Sequence, residues 1–376
     1  MVSVSACSAS SSKSSASIRP STPTASGSPS PAAGPGLIVF VASTGSGQVV
    51  RVLTATGGSA HTVATLPLTA NVLAAGLGKL AYQDSSDASI HVLSLTSGAN
   101  RRYDTGVPSG APDSVSILGG AFSPDGMRFA YNLDMLSGGS LRVIDLAGGG
   151  SKVLRSWGAG VPVDEPNTWT VSAIQATTVV PFSDAGPQAA VTLNPDTGAD
   201  MKTSNVSDST GPVFAATMAT AATAFHTGGL GDDGDAGSAP GPPQPFNSVR
   251  VFTVGGSASL IFSKAHHANT VLAEARDGSS TLFYADTSAG AFAGISMSPD
   301  FGLFVYRGGT PVQLTGYDGS RYDAGTFLDS GQVVVARHSG DDEQLILAGP
   351  SHGASSVIDT ISGGDQPAFV AFSPTS

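Results

Sequence analysis

The chain has 376 residues, of which 40% are hydrophobic and only 12% are charged, and it contains 48 glycines. That hydrophobic content excludes a wholly disordered chain, and no apolar run approaches the roughly 20 residues of a membrane-spanning helix. The formal net charge is −11 and the lysines and arginines are scattered, so the basic stripe expected of a nucleic-acid-binding protein is missing.

The N-terminal segment carries the single cysteine of the chain, Cys7, which excludes intramolecular disulfides and CxxC zinc sites. Val4-Ser5-Ala6-Cys7 resembles a bacterial lipobox, and Ser- and Pro-rich sequence follows it. Residues 1–36 are therefore predicted to be a lipobox-like segment and a disordered tether, with Cys7 lipidated and basic and apolar residues encoded before Met1. A chance cysteine in a disordered tail is the alternative. Lipidation predicts an extracytoplasmic bacterial protein, at the cell surface or in the periplasm, that contacts the membrane only through its lipid.

From Leu37 onward, short β-rich runs alternate with Gly, Asp, Asn and Pro, which predicts an all-β fold. A large side chain near the end of each predicted second strand recurs at intervals of about 40–60 residues, the spacing of propeller blades. These markers are Phe40, Tyr82, Tyr131, Phe182, Phe225, Tyr284 and the aliphatic Val335. The spacing predicts seven four-stranded repeats, with six or eight as alternatives.

Residues 121–131 form the clearest motif, an apolar run, the turn sequence Ser-Pro-Asp-Gly and a second apolar run, which together predict a β-hairpin. Relatives of it occur at 296–306 and, truncated, at 371–374. The motif resembles the first hairpin of blades in TolB-type WD40-like β-propellers. The resemblance implies one propeller over residues 37–376, with a protein or peptide partner.

Within the repeats, the sequence predicts four strands in 72–103 and four more in 115–154. The fourth repeat is interpreted with its inner strand at 171–176 and its second strand at 178–182. Residues 213–225 are interpreted as strand, although their composition also allows helix. Residues 267–318 are interpreted as one irregular repeat that contains two hairpins.

The two ends of the repeat region complement each other. Residues 37–40 have a second-strand pattern without an inner strand before them, and 368–374 have an inner-strand pattern without a second strand after them. Pairing these two segments would close the ring and remove its free sheet edges, which predicts a monomer.

A few polar residues interrupt inner strands that are otherwise mostly apolar. They are Asn71, Gln175, Glu274, Arg276 and Asp329. Convergence of at least three of them in one pocket at the channel mouth would indicate a propeller enzyme, a hydrolase or lyase acting on a lactone or glycan. Otherwise they are ordinary core or strand-end groups. Since HExxH and GxxxxGK[ST] motifs are missing, no catalytic residue, cofactor or metal site is predicted.

An insertion of about twenty residues separates Phe225 from the next predicted strand, a length that in a compact domain indicates either function or disorder. Its candidate binding residues are Asp232, Asp233, Asp235 and Phe246. The acidic Gly-rich part lacks the spacing and terminal Glu of a calcium loop, whereas the prolines before Phe246 favour an extended arm. Both a partner-binding arm and a disordered loop are compatible with this sequence.

The sequence thus predicts, as its first hypothesis, a non-catalytic binding or scaffold propeller displayed outside the cytoplasm on a lipid tether. The second hypothesis is the propeller enzyme. The third is a structural element of the cell surface without a discrete ligand.

Overall fold

The computed structural model describes residues 36–86, 89–107, 115–179, 187–205, 213–218, 222–227, 248–253, 258–263, 268–275, 278–286, 302–316, 320–349 and 355–374. All of them belong to one compact unit, Gly34–Ser376. Every regular element in these ranges is a β-strand, and they contain no helix long and apolar enough to span a bilayer.

The first half of the chain forms these strands: β1 (Leu37–Thr44), β2 (Gly47–Thr54), β3 (His61–Leu66), β4 (Ala70–Gly76), β5 (Lys79–Asp84), β6 (Ser89–Ser94), β7 (Asn100–Tyr103), β8 (Val115–Phe122), β9 (Arg128–Met135), β10 (Gly138–Asp145), β11 (Ser151–Ser156), β12 (Val163–Trp169), β13 (Ile174–Val179), β14 (Pro187–Leu193) and β15 (Asp200–Asn205). The second half forms β16 (Val213–Met218), β17 (Ala222–Thr227), β18 (Ser248–Thr253), β19 (Ala258–Ser263), β20 (Ala268–Glu274), β21 (Thr281–Asp286), β22 (Gly302–Tyr306), β23 (Val312–Gly316), β24 (Arg321–Phe327), β25 (Val333–Ser339), β26 (Asp342–Ala348), β27 (Ser355–Ser362) and β28 (Asp365–Ser373).

These strands form seven four-stranded sheets. Six of the sheets use consecutive strands, from β4–β7 through to β24–β27, and the remaining sheet has the order β28-β1-β2-β3. The inner strands β4, β8, β12, β16, β20, β24 and β28 contact one another in that cyclic order, with β28 contacting β4. Sheets arranged radially around one set of inner strands make a β-propeller. The all-β class and the propeller architecture predicted from the repeats are confirmed.

The turn between β8 and β9 shows how the Ser-Pro-Asp-Gly sequence works. The Ser123 hydroxyl donates to the Asp125 carboxylate at 2.6 Å, and the Arg128 amide donates to Ser123 Oγ at 2.9 Å. The Met127 amide also donates to Asp125, at 2.9 Å. The Ser123 and Met127 hydrogen bonds hold the pKa of Asp125 below its usual value. The side chain satisfies turn amides, and the predicted hairpin is confirmed.

Six inner strands share an irregularity that periodicity did not reveal. Their pairing with the second strand shifts register at 72/74, 118/120, 166/168, 213/215, 271/273 and 322/324. A β-bulge of this kind bends a strand and increases its twist. In β8 the extra residue is Gly119, with φ +62°, and a Cβ there would lie 2.5 Å from the Pro166 carbonyl oxygen. Both the backbone angle and the approach of β12 therefore require glycine.

Neighbouring sheets pack through apolar side chains and are joined by buried amides. Phe129 and Tyr131 of β9 are fully buried and belong to the cluster that also contains Tyr103 of the preceding sheet. Asn132 Nδ2 donates to the Asp164 carbonyl of the next sheet at 3.0 Å. Because that amide donor is buried, the inter-sheet bond fixes the position of β12 against β9.

The predicted strands of the fourth repeat are wrong by about one strand. The inner strand is β12 and the second is β13, whereas the sequence placed the inner strand at 171–176. The error arose because β12, with the sequence VDEPNTW, looks polar and contains proline, while the apolar Val171 is 90% exposed in the following turn. Phe182 lies outside the described residues.

Two regions, 213–225 and 267–318, had an ambiguous sequence pattern. Residues 213–218 and 222–227 are strands, which confirms strand over helix. The region 267–318 contributes the single sheet β20–β23, as predicted. In that sheet β22 is the third strand, so the Ser-Pro-Asp sequence before it does not belong to a first hairpin. Residues 287–301 themselves lie outside the described ranges.

Candidate functional site

A cavity of about 250 Å³ lies where six inner strands end. Strands β4, β8, β12, β20, β24 and β28 each contribute their last residues or the residues just after them. The lining consists of Ala74, Ala75, Gly76, Leu77, Gly120, Ala121, Phe122, Ser123, Pro124, Asn167, Thr168, Trp169, Glu274, Thr326, Phe327, Phe372 and Pro374. We call this space the strand-end cavity.

Aromatic side chains and small residues form most of the cavity wall. Phe122, Trp169 and Phe327 are buried, and Phe372 is half-buried. Gly120 has no room for a side chain, because a Cβ there would meet the Phe129 ring at 2.4 Å. The wall therefore favours an apolar group over a hydrated one.

Several polar side chains of the cavity are already engaged by the fold. Besides Ser123, Thr326 Oγ1 accepts a hydrogen bond from the Phe372 amide at 3.1 Å. Asn167 Nδ2 donates to the Glu165 carbonyl at 2.9 Å and to Thr177 Oγ1 at 3.1 Å. These groups position strand ends against one another.

Charged groups of both signs lie at the cavity, with Glu274 in its lining and Lys79 at its rim. Glu274 is the one charged side chain among the described lining residues. Burial raises the pKa of the nearby Glu165 carboxyl on β12. The Glu274 carboxylate in the lining disfavours an anionic ligand.

The turns at the cavity rim are locked together. Lys79 Nζ donates to the Gly126 carbonyl at 2.6 Å, which joins the turn after β4 to the turn after β8. The Gly78 amide donates to Ser373 Oγ at 2.8 Å, which joins the same turn to the end of β28. Such bonds between sheets hold the rim in one arrangement.

The structure separates the polar residues that the sequence grouped at a channel mouth. Glu274 lines the strand-end cavity. Asn71 is exposed near the start of β4, where its Nδ2 donates to the Ile117 carbonyl at 3.3 Å. Gln175 is buried on β13 and Asp329 is exposed after β24. Arg276 lies outside the described residues, so at most two of the five can line this cavity.

Other predicted site residues fall outside the described ranges. They are Cys7, Asp232, Asp233, Asp235 and Phe246. The strands on either side of this segment are described: the second strand β17 ends at Thr227 and the third strand β18 begins at Ser248. Among the described residues, no three His, Cys, Asp or Glu side chains are grouped as metal ligands would be.

The residues that form the cavity wall were missed by reasoning from sequence. Leu77, Phe122, Trp169 and Phe372 are apolar, and the search of the inner strands for a site considered only polar residues. The available signal was positional, because each lies at the end of an inner strand or just after it.

Comparison with known proteins places the chain by its fold alone. No family model matches it, and no curated protein matches its sequence. Among solved structures it resembles a protein from Lactobacillus plantarum, at 12% identity over 90% of this chain and 99% of that one, with a TM-score of 0.53. It also resembles oligogalacturonate lyase from Vibrio parahaemolyticus, at 10% identity over 79% and 82% of the two chains, with a TM-score of 0.52.

TolB from Acinetobacter baumannii matches at 14% identity over 90% of this chain, with a TM-score of 0.48. The chain spans only 66% of that TolB chain. At such identities these likenesses concern the propeller fold, which hosts unrelated functions.

Proposed function

We propose that this chain is a non-catalytic binding propeller, displayed outside the cytoplasm, that binds a protein or peptide partner in the strand-end cavity. The observation that supports this proposal is that the polar and the aromatic side chains of the cavity wall have different roles. Its side chains Ser123, Asn167 and Thr326 bond to the fold, whereas its aromatic rings line the space. In a site of this kind the polar groups serve the fold, and binding depends on apolar burial.

The size of the cavity favours part of a partner over a whole small molecule. Ligand pockets commonly enclose about 300–1,000 Å³, and the strand-end cavity encloses about 250 Å³. One large apolar side chain of a peptide is a suitable occupant. The protein would act as a monomer whose seven sheets are the blades of one ring, closed by β28 on β1.

A cavity-filling variant tests the binding site. Ala75 lines the cavity and is half-buried, so Ala75→Phe should occupy the space. Ala99→Phe makes the same change at an exposed position outside the lining. A partner isolated from a cell-envelope extract and then purified should bind wild type and Ala99→Phe with equal Kd in titration calorimetry. It should bind Ala75→Phe at least about tenfold more weakly, which corresponds to about 1.4 kcal/mol. Equal Kd values for all three proteins would remove the cavity as the site.

The enzyme hypothesis requires a different arrangement of side chains in the same cavity. A hydrolase or lyase needs polar groups that converge on a reacting bond, and Asn71, Gln175 and Asp329 do not reach the strand-end cavity. Turnover of lactone or glycan substrates by wild type, lost in Glu274→Gln, would establish the enzyme and reject the binding proposal.

Display on a lipid tether is a separate part of the proposal. Cys7 would carry the lipid, and residues up to 36 would act as the spacer. Mass spectrometry of the mature protein from a bacterial membrane fraction should find the lipid on Cys7 and none in Cys7→Ser. A soluble, unlipidated wild-type protein would reject it.

The loop with Asp232, Asp233, Asp235 and Phe246 is proposed as a second contact for the partner. Deleting 229–244 should preserve the melting temperature and weaken partner binding. Unchanged binding by the deletion variant would restrict recognition to the cavity.

A further inference from the structure

The turn between β4 and β5 has a geometry that restricts the choice of residue. Gly76 pairs with Lys79, so the hairpin loop consists only of Leu77 and Gly78. Their φ angles are +53° and +71°. Positive φ at both central residues matches a type I′ turn, the form that suits the twist of a two-residue hairpin.

Leucine is an unfavourable residue for the first position of this turn. Asn, Asp and Gly adopt positive φ at lower cost and dominate type I′ turns. Leu77 is the one non-glycine residue with positive φ among the described residues. The turn geometry explains the angle, but it does not explain why a branched apolar side chain occupies the position. Strain of this kind concentrates at functional sites.

The side chain of Leu77 lies between the strand-end cavity and the next turn of the rim. Leu77 lines the cavity and is half-buried. Its Cδ1 lies 3.0 Å from where a Cβ on Gly126 would be, so it rests on the turn after β8. Gly126 leaves room for the leucine, and the rim bond from Lys79 to Gly126 holds the two turns together.

We propose that Leu77 is a ligand-contacting, specificity-determining residue, which selects a peptide that inserts an apolar side chain into the strand-end cavity. The proposal rests on the proposed binding function. A leucine methyl at the mouth gives an apolar side chain a contact that asparagine, the favoured turn residue, would not give. Leucine occupies this position despite the unfavourable positive φ because its side chain contacts the ligand.

The position of Trp169 in the cavity wall supplies a direct readout. The chain has 2 tryptophans, so Trp157→Phe leaves Trp169 as the sole indole. The probes are acetyl-Gly-X-Gly-amide peptides with X as Leu, Phe or Glu, titrated while Trp169 fluorescence is recorded. We expect saturable shifts with Leu and Phe and none with Glu.

Variants at Leu77 separate recognition from folding. Leu77→Asn should keep or raise the melting temperature, because asparagine suits positive φ, and should weaken Leu and Phe peptide binding about tenfold or more. Leu77→Met should bind within about threefold of wild type, because it keeps an apolar side chain. Leu136→Asn is the matched control, since Leu136 is 70% exposed and outside the lining, and it should bind as wild type does.

The outcomes distinguish this inference from the proposed function. If wild type shows no saturable shift with Leu or Phe peptides, cavity binding of apolar side chains fails and the role of Leu77 fails with it. If wild type binds and Leu77→Asn binds equally well, the cavity function stands and only the inference is overturned. A lower melting temperature with unchanged binding in Leu77→Asn would also overturn it, because Leu77 would then be a packing residue.

Discussion

Gly119 offers a test of how closely neighbouring sheets are fitted. The residue has φ +62°, and a Cβ there would lie 2.5 Å from the Pro166 carbonyl oxygen and 2.6 Å from Glu165 Cγ. In Gly119→Ala the new methyl group therefore meets backbone of β12, which has no flexible end that can rotate away. The variant should be destabilised both by the backbone angle and by overpacking.

The magnitude follows from two separable contributions. Positive φ costs an L-residue about 1–2 kcal/mol, and forcing a methyl group into a packed interface costs about 1–3 kcal/mol more. Gly119→Ala should therefore lower the free energy of unfolding by about 2–5 kcal/mol. Gly340→Ala isolates the first contribution, because Gly340 has φ +65° and an added methyl group there would meet nothing within 4 Å.

Urea unfolding followed by tryptophan fluorescence measures both variants, and Trp169 on β12 reports on the displaced strand. Gly45→Ala is a further control, because a Cβ at Gly45 has no neighbour within 4 Å and needs no positive φ. It should change stability by less than about 1 kcal/mol. A loss in Gly119→Ala no greater than in Gly340→Ala would refute the close approach of β8 and β12.

Three further predictions concern other parts of the fold. Deleting residues 365–376 should abolish the cooperative thermal transition, because β28 places Ala368 and Val370 in the buried core; deleting only 375–376 should not, and a cooperative melt in the longer deletion would contradict the pairing of β1 with β28. Asn132→Leu should cost about 1–3 kcal/mol in urea unfolding, because a buried carbonyl loses its donor, and Asn71→Leu should cost less because Asn71 is exposed. Burial raises the pKa of Asp134 above 3.8, so ionisation of its carboxyl opposes folding. The free energy of unfolding of the wild type should therefore fall as pH rises from about 4. Asp134→Asn does not ionise, so its stability relative to wild type should increase between about pH 3 and pH 7. Asp145→Asn should show the opposite trend, since amides of Gly148 and Ala147 lower the pKa of Asp145, and parallel pH profiles for the two variants would contradict both assignments.

Strands with a plain apolar pattern were predictable from sequence. The β8–β9 hairpin followed from its Ser-Pro-Asp-Gly turn, and the four strands of the second repeat followed from apolar runs within 72–103. The inner strand β12 did not, because it packs between sheets with buried Asp164 and Pro166. Its polar groups are satisfied by partners distant in sequence, which no local pattern encodes.

The candidate site was less predictable than the fold. Polar residues in the inner strands were taken as site candidates. Of these, Asn71 lies near the start of β4 and Gln175 is buried within a sheet, so neither lines the cavity. The cavity instead arises where six strand ends meet, and its wall is made of ordinary residues such as Ala74 and Phe327. Only the ring arrangement brings these residues together, so their role depends on topology.

The sheet that joins the two ends of the chain also determines how the molecule responds to force. Leu37 pairs with Ser373, so residues 36 and 374 lie side by side at the same end of β1 and β28. Antiparallel ladder bonds run perpendicular to the strands, and tension applied between these two points loads them one after another. The hydrogen bonds between β1 and β28 therefore break in order from residue 37 towards residue 43. This requires a lower force than pulling two paired strands along their length, which loads all their hydrogen bonds at once.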